Sequence, residues 1–278
     1  MEHHPTFIGD LFNQLFGGLA LALMEMLGIH PHDPLRPIPD HIAIELFIVL
    51  LAVIFFLWFR RQLSADNPGG LQLCFEQVLS NSFRVGIYDL LDDIIGHGGR
   101  QYLAIIGTVG LFVLFCNLIS LIPGFVSPTA HNTVPLGCAL VIFLYYHVAG
   151  IKAHGVLHYG KQFMGPVLPM APLMVVIETV SHSARLLSLT VRLWVNIVVS
   201  ELIYLTFLGL SIAFMTWLWS VQLWGWAIGK VLGPLGVLAP LLIPLIFIGL
   251  HIFVAVLQAF IFTLLPAVYL GGAVAEEH

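Results

Sequence analysis

Charge is what this sequence has least of. Only 9% of its 278 residues are Asp, Glu, Lys or Arg, and 59% are hydrophobic, whereas a soluble domain carries about 25% charged residues. The shortage excludes a soluble enzyme and a disordered chain. The 10 Lys and Arg are outnumbered by 15 Asp and Glu, so no basic surplus is available to neutralise phosphates, and a nucleic-acid binder is excluded too. Cysteine is nearly absent. Cys74, Cys116 and Cys138 are scattered through apolar surroundings without C-x-x-C spacing, which argues for packing roles and against a disulfide framework or a metal knuckle. Met1 to Asp10 holds acids and histidines but no Lys or Arg, so the apolar segment that follows lacks the basic start of a signal peptide and is expected to stay in the mature protein. What remains is an all-α, polytopic membrane protein with the lipid bilayer as its solvent.

The organisation follows from the apolar runs. Residues 1–40 form an outer-side amino-terminal segment, in which Leu11 to Gly28 is short, carries Gln14 and Glu25 and ends in a proline-rich stretch, suiting an interfacial helix. Residues 41–61 hold the first span, Ile42 to Phe59, closed by Arg60 and Arg61. Residues 69–96 have apolar positions at helical spacing interrupted by Glu76, Arg84, Asp89, Asp92 and Asp93, the pattern of one amphipathic helix lying on the membrane surface. Residues 101–152 supply two spans, Tyr102 to Ile122 and Val134 to Ile151. Alternation of these spans puts Arg60, Arg61, Arg84, Arg100, Lys152 and Lys161 on one side, which the positive-inside rule makes the cytoplasm, with the amino terminus outside. Residues 168–272 contain two runs too long for a perpendicular crossing, and predict a long, tilted helical hairpin. Trp217, Trp219, Trp224 and Trp226 with Lys230 suggest an aromatic girdle at its turn. About five spans in a single membrane domain are expected.

An ionisable group inside a membrane segment is costly, and is a functional candidate by default. Glu178, Arg185 and Arg192 are spaced by seven, so they share one stripe of a helix, and Asn196 extends it by a turn. Glu201, nine residues past Arg192, falls about half a turn out of phase and ~13 Å further along, toward a second aqueous pocket. In the last run His251, Gln258 and Tyr269 share a face that can form the other wall. Arginine stays charged while glutamate and histidine titrate, so the set combines a fixed charge with proton relays. The plainer alternative is that the charges only glue helices together, Glu178 pairing with Arg185. His182, beside the stripe, is a further proton-path candidate, whereas His154 and His158 have ligand-pair spacing but no third ligand nearby.

The segment from Glu178 to Glu201 resembles the signature of subunit a of F-type ATP synthase, E-x-x-S-x-x-x-[RK]-P-x-S-L-x-x-R-L-F-G-N-x-x-A-G-E. Asn117-Leu-Ile-Ser-Leu-Ile-Pro-Gly124 is similar to that family's N-L-x-x-L-x-P-G element, and the end of the chain, from Gln258 through Tyr269 to the acidic tail at His278, resembles its closing segment. The resemblance implies a proton-translocating subunit in a bacterial inner membrane, working with a ring of c subunits, a peripheral stalk of b subunits and a separate catalytic ATPase sector. It implies no cofactor, no metal and no catalysis by this chain alone. It gives Arg192 the role of the arginine separating two offset half-channels. Asn196, Glu201, His251, Gln258 and Tyr269 match the half-channel open to the outside; Glu178 and Ser181, with His182 beside them, match the one open to the cytoplasm.

Several positions depart from the family pattern. Leu186 replaces its proline, Trp194 and Val195 its Phe-Gly pair, and Val199 and Ser200 its Ala-Gly pair. His131 stands in place of the acid of the P-[ST]-A-D-x-N-x-T-L element. Bulkier residues at these points change the packing near the ring. A proton-coupled secondary transporter with a helix broken near Pro240 and Pro244 is the alternative, although paired repeats are absent; a scaffold subunit without an ion path is another. No nucleophile and base pairing or nucleotide loop points to an intramembrane enzyme.

Overall fold

The computed structural model describes residues 7–28, 33, 36–80, 86–96, 98–122, 125, 127–165, 168–222 and 226–274, with the side chains at 168 and 218–241 outside that description. Regular structure among these residues is entirely helical: α1 (Phe7–Met26), α2 (Asp40–Arg60), α3 (Gly70–Leu79), α4 (Ile87–Ile95), α5 (Leu103–Leu118), α6 (Thr133–His154), α7 (Val156–Gln162), α8 (Ala171–Gln222) and α9 (Trp226–Val274). This is an all-α integral membrane protein. Six helices, α1, α2, α5, α6, α8 and α9, are long and apolar enough to cross a membrane.

That count exceeds by one the five expected from the sequence, and the difference is α1. It starts at Phe7 rather than Leu11 and so gains a turn, reaching 20 residues. The proline-rich connection is tied back onto it: Asn13 accepts a hydrogen bond from the Ile38 amide at 2.9 Å and donates to the Ile38 carbonyl at 2.9 Å, while Arg36 pairs with Asp10 at 2.5 Å. A second difference is that the expected single helix over 69–96 is two. Ser80 closes α3 in extended conformation and Gly86 opens α4 the same way, in a stretch where Ser80, Asn81, Ser82 and Gly86 are all poor helix formers. The two helices are not equivalent: α3 has no buried residue, whereas Leu91 of α4 is wholly buried. Of the tryptophan girdle only Trp217 falls where side chains are described, and it is exposed; Trp219, Trp224, Trp226, Lys230 and Pro240 lie outside the described side chains, and Arg84, Pro123, Gly124 and the acidic tail outside the described residues.

The hairpin dominates the molecule. At 1.5 Å per residue, α8 with 52 residues and α9 with 49 are each more than ~70 Å long, well beyond the ~45 Å of a bilayer with its headgroups. Helices of that length must tilt strongly or run along the interface for part of their course. The main core lies between them and α5 and α6, with Val113, Tyr146, Leu193, Ile197, Phe262 and Leu270 almost completely buried. Close approach is built in at Gly110 of α5, where an added Cβ would run into the Thr263 side chain of α9. Gly155, at φ +79° and ψ 157°, makes the sharp corner from α6 into α7 that a side chain would strain.

Candidate functional site

The hairpin is antiparallel, so polar residues on its facing sides meet as rungs. Three rungs form. His251 Nδ1 lies 3.1 Å from the Ser200 hydroxyl, the Asn196 amide donates to Gln258 Oε1 at 2.9 Å, and the Arg185 guanidinium sits 5.4 Å over the Tyr269 ring. His251, Gln258 and Tyr269 of α9 thus each face a polar residue on α8. Continuing that register brings the buried Phe262, not a polar group, level with Arg192.

Arg192 itself is exposed on the surface of the chain, and no carboxylate among the described residues lies within ion-pair distance of it. Around it α8 shows an uncovered apolar face, with Leu187, Val191, Val195 and Val199 all exposed. The family's small pair at 199–200 has therefore been replaced in two different ways. Val199 widens the outer face, whereas Ser200 turns inward, is buried, and holds His251.

On one side of Arg192, toward the start of α2 and the end of α5, a buried polar cluster surrounds His251. Its Nε2 is 3.0 Å from the Ser120 hydroxyl. Next to it Thr129 donates to Asn117 Oδ1 at 2.6 Å, and the Ser127 hydroxyl, 2.7 Å from that of Thr129, donates to the Cys116 carbonyl at 2.9 Å. Glu201 is half-buried and faces the Ser127 backbone. Two amide nitrogens here, Nδ2 of Asn117 and Nε2 of Gln258, are buried without a protein partner. Buried amides left open in this way fit water as the missing acceptor.

On the other side of Arg192 a second cluster forms. Tyr146 Oη is 2.7 Å from His182 Nδ1, and His182 Nε2 is 3.3 Å from Glu178 Oε1. His147 Nδ1 lies 2.7 Å from Tyr159 Oη, with the His147 and His182 rings 5.0 Å apart. Burial pushes the Tyr159 phenol above its ordinary value, so it keeps its proton at neutral pH. Glu178 therefore partners His182, not Arg185, and the simple pairing of the two stripe charges does not occur. Ser181 is half-buried within this helix turn.

Tyr269, grouped from the sequence with His251 and Gln258, sits instead with the second cluster, its ring 6.2 Å from that of Tyr146. The reason is helix rise: eighteen residues separate it from His251, or ~27 Å along α9. Sharing a face is not sharing a pocket.

Sequence reasoning also missed residues. Tyr146, His147 and Tyr159 gave no motif, and only the packing of α6 and α7 brings them to His182. Glu45 did carry a signal, a carboxylate within the first apolar span. Its Oε1 is buried without a hydrogen-bond partner beside a cavity of about 430 Å³ that His41 and Thr133 also line. His131, in place of the family's acid, stacks on His41 with ring centroids 4.1 Å apart. Trp194 is accounted for as well: its indole donates to the Ala130 carbonyl at 2.8 Å and pins the turn Pro128–Ala130 to α8. Leu186 packs against the main core. Among the described residues no group of three metal-ligating side chains converges.

A family model described as ATP synthase A chain matches residues 42–271. The chain belongs to this family. Among ATP synthase A chain relatives, a protein named ATP synthase subunit a from Koribacter versatilis (strain Ellin345) is 39% identical over 275 residues, covering 99% of each chain. One of the same name from Solibacter usitatus (strain Ellin6076) is 38% identical over 96% of this chain and 100% of its own. ATP synthase subunit a 1 from Syntrophotalea carbinolica (strain DSM 2380 / NBRC 103641 / GraBd1) is 38% identical over the full length of both. The match to an ATP synthase A chain thus includes α8, most of α9 and both polar clusters that flank Arg192.

Proposed function

We propose that this chain is the proton-conducting membrane subunit of a bacterial ATP synthase, with Arg192 as the barrier between two offset half-channels. The observation that carries the reading is the position of Arg192. A guanidinium stays ionised, and an uncompensated charge within a membrane segment is costly; here it lies on an exposed apolar face with no acidic partner among the described residues. Its counter-charge must come from another subunit. An ionised carboxylate on a passing c-ring helix has the required chemistry, and the apolar face around Arg192 suits sliding contact with such a helix.

The two clusters supply the half-channels. Along α8, Ser200 is ~12 Å from Arg192 in one direction and Glu178 ~21 Å in the other. Protons reach the ring from outside through Glu45, Asn196, Glu201, His251 and Gln258, and leave to the cytoplasm through Glu178, Ser181 and His182, with Tyr269 on that second side. As a ring carboxylate nears Arg192 the guanidinium favours its ionised form and drives proton release. It then reloads from the outer half-channel before turning into lipid. The peripheral b-subunit stalk holds this chain against rotation, ATP chemistry stays on the catalytic sector, and the amino terminus lies outside with the carboxyl terminus in the cytoplasm.

The test is Arg192→Ala in membranes holding the assembled complex. ATP-driven acidification should be lost, and passive proton leak after removal of the catalytic sector should rise. Unchanged pumping with intact assembly overturns the barrier role.

A further inference from the structure

The hydrogens around His251 can be counted. Ser120 donates to the Asn117 carbonyl at 3.1 Å and Ser200 to the Ile197 carbonyl at 3.0 Å. A carbonyl only accepts and a hydroxyl has a single hydrogen, so each serine gives its hydrogen either to its carbonyl or to the ring, not to both. Their remaining contacts are to the two ring nitrogens of His251, Nε2 at 3.0 Å and Nδ1 at 3.1 Å. With both hydrogens on the carbonyls the serines face the ring as acceptors, which a histidine satisfies on both sides only with two N–H groups, that is, as the cation.

The same geometry serves the neutral ring. If one nitrogen loses its proton, the serine beside it need only turn its O–H from the carbonyl to the bare nitrogen. One serine-to-backbone bond is given up. Neither nitrogen is left buried and unpaired, in a position where His251 is 1% exposed. The other groups facing the ring are the Asn117 backbone and the Tyr204 ring at 6.3 Å; the nearest acid in sequence to its partners is Glu201, next to Ser200.

We propose that Ser120 and Ser200 make His251 a two-sided proton relay, in which the ring takes a proton at one nitrogen and releases one from the other while a serine hydroxyl rotates to cover the nitrogen left bare. Balance is kept: one N–H bond forms from a water-borne proton on one side, one N–H bond breaks on the other, and nothing is oxidised or reduced. The relay rests on the outer half-channel assigned above. Ser120 and Ser200 are positioning residues; His251 is the group that carries the proton. Ser200 stands where the family pattern has glycine, so the hydroxyl beside His251 is this chain's own departure from that pattern.

The experiment compares Ser200→Ala, Ser200→Thr, Ser120→Ala and Arg192→Ala in the assembled complex, reading ATP synthesis against the pH of the outer compartment. Ser200→Ala and Ser120→Ala should slow synthesis about tenfold, the rate equivalent of one hydrogen bond at the upper end of its usual net worth, and should alter the pH profile. Ser200→Thr keeps the hydroxyl and should restore both rate and profile. A packing role reverses that order, because alanine is tolerated in a tight interface better than the larger threonine. Wild-type rate and profile in Ser200→Ala, with the subunit co-purifying with the ring, overturn the relay. If Arg192→Ala abolishes coupling in those membranes, only the relay has failed; if it pumps normally, the half-channel reading has failed with it.

Discussion

Single hydroxyls and amides carry much of the argument for this protein, because a buried polar atom inside an apolar bundle has few places to turn. Tyr146 is the clearest case. Its hydroxyl covers Nδ1 of His182, leaving Nε2 free to face Glu178. Tyr146→Phe keeps the ring and removes that bond. ATP synthesis should fall by a factor of about five, the rate equivalent of one hydrogen bond of about 1 kcal/mol, with assembly judged by co-purification unaffected. Trp194→Phe restores the family's residue but frees the Ala130 carbonyl, and should lower the thermal stability of the purified complex by about 1 kcal/mol. The stripe through Glu178, Arg185, Arg192 and Asn196 was legible from spacing alone. Which partner each residue takes was not, since spacing on one helix says nothing about the wall opposite.

Helices were legible to the extent that their composition is uniform. The apolar runs marked α2, α5, α6 and the long hairpin, because a crossing helix must be apolar throughout. The amphipathic region was read as one helix because periodicity counts apolar positions and does not detect the few weak helix formers at Ser80 to Gly86 where α3 and α4 separate. Contacts between elements were less visible still. Gly110 is one of 26 glycines, and only the packed structure shows that it lets α5 approach Thr263 on α9. Gly110→Val should push these helices apart and cost about 1–3 kcal/mol. The expected readout is a lower melting temperature of the complex in detergent, with greater protease sensitivity. A melting temperature equal to wild type would show that the two helices do not need this contact.

At the scale of the whole molecule, the chain is one wall of a larger machine. The exposed apolar side chains on α8 suit lipid or another membrane helix, and the fixed positive charge among them is what the proposed contact with a ring carboxylate would neutralise. Cysteine at Val195, on the exposed face one turn from Arg192, should cross-link to a cysteine on the ring's outer helix, whereas cysteine at the fully buried Leu193 should not. The reverse pattern would place the ring elsewhere. The sequence by itself determined that this is a helical membrane protein, where most of its spans lie and which few polar residues carry its chemistry, because hydrocarbon makes every charge within a span conspicuous. Only the tertiary structure decided that Tyr269 belongs with Arg185, that Ser200 serves His251, and that Arg192 has no ion-pair partner among the described residues. Those outcomes depend on the register of one helix against another, and register is set by side-chain packing across the interface, which no single helix records.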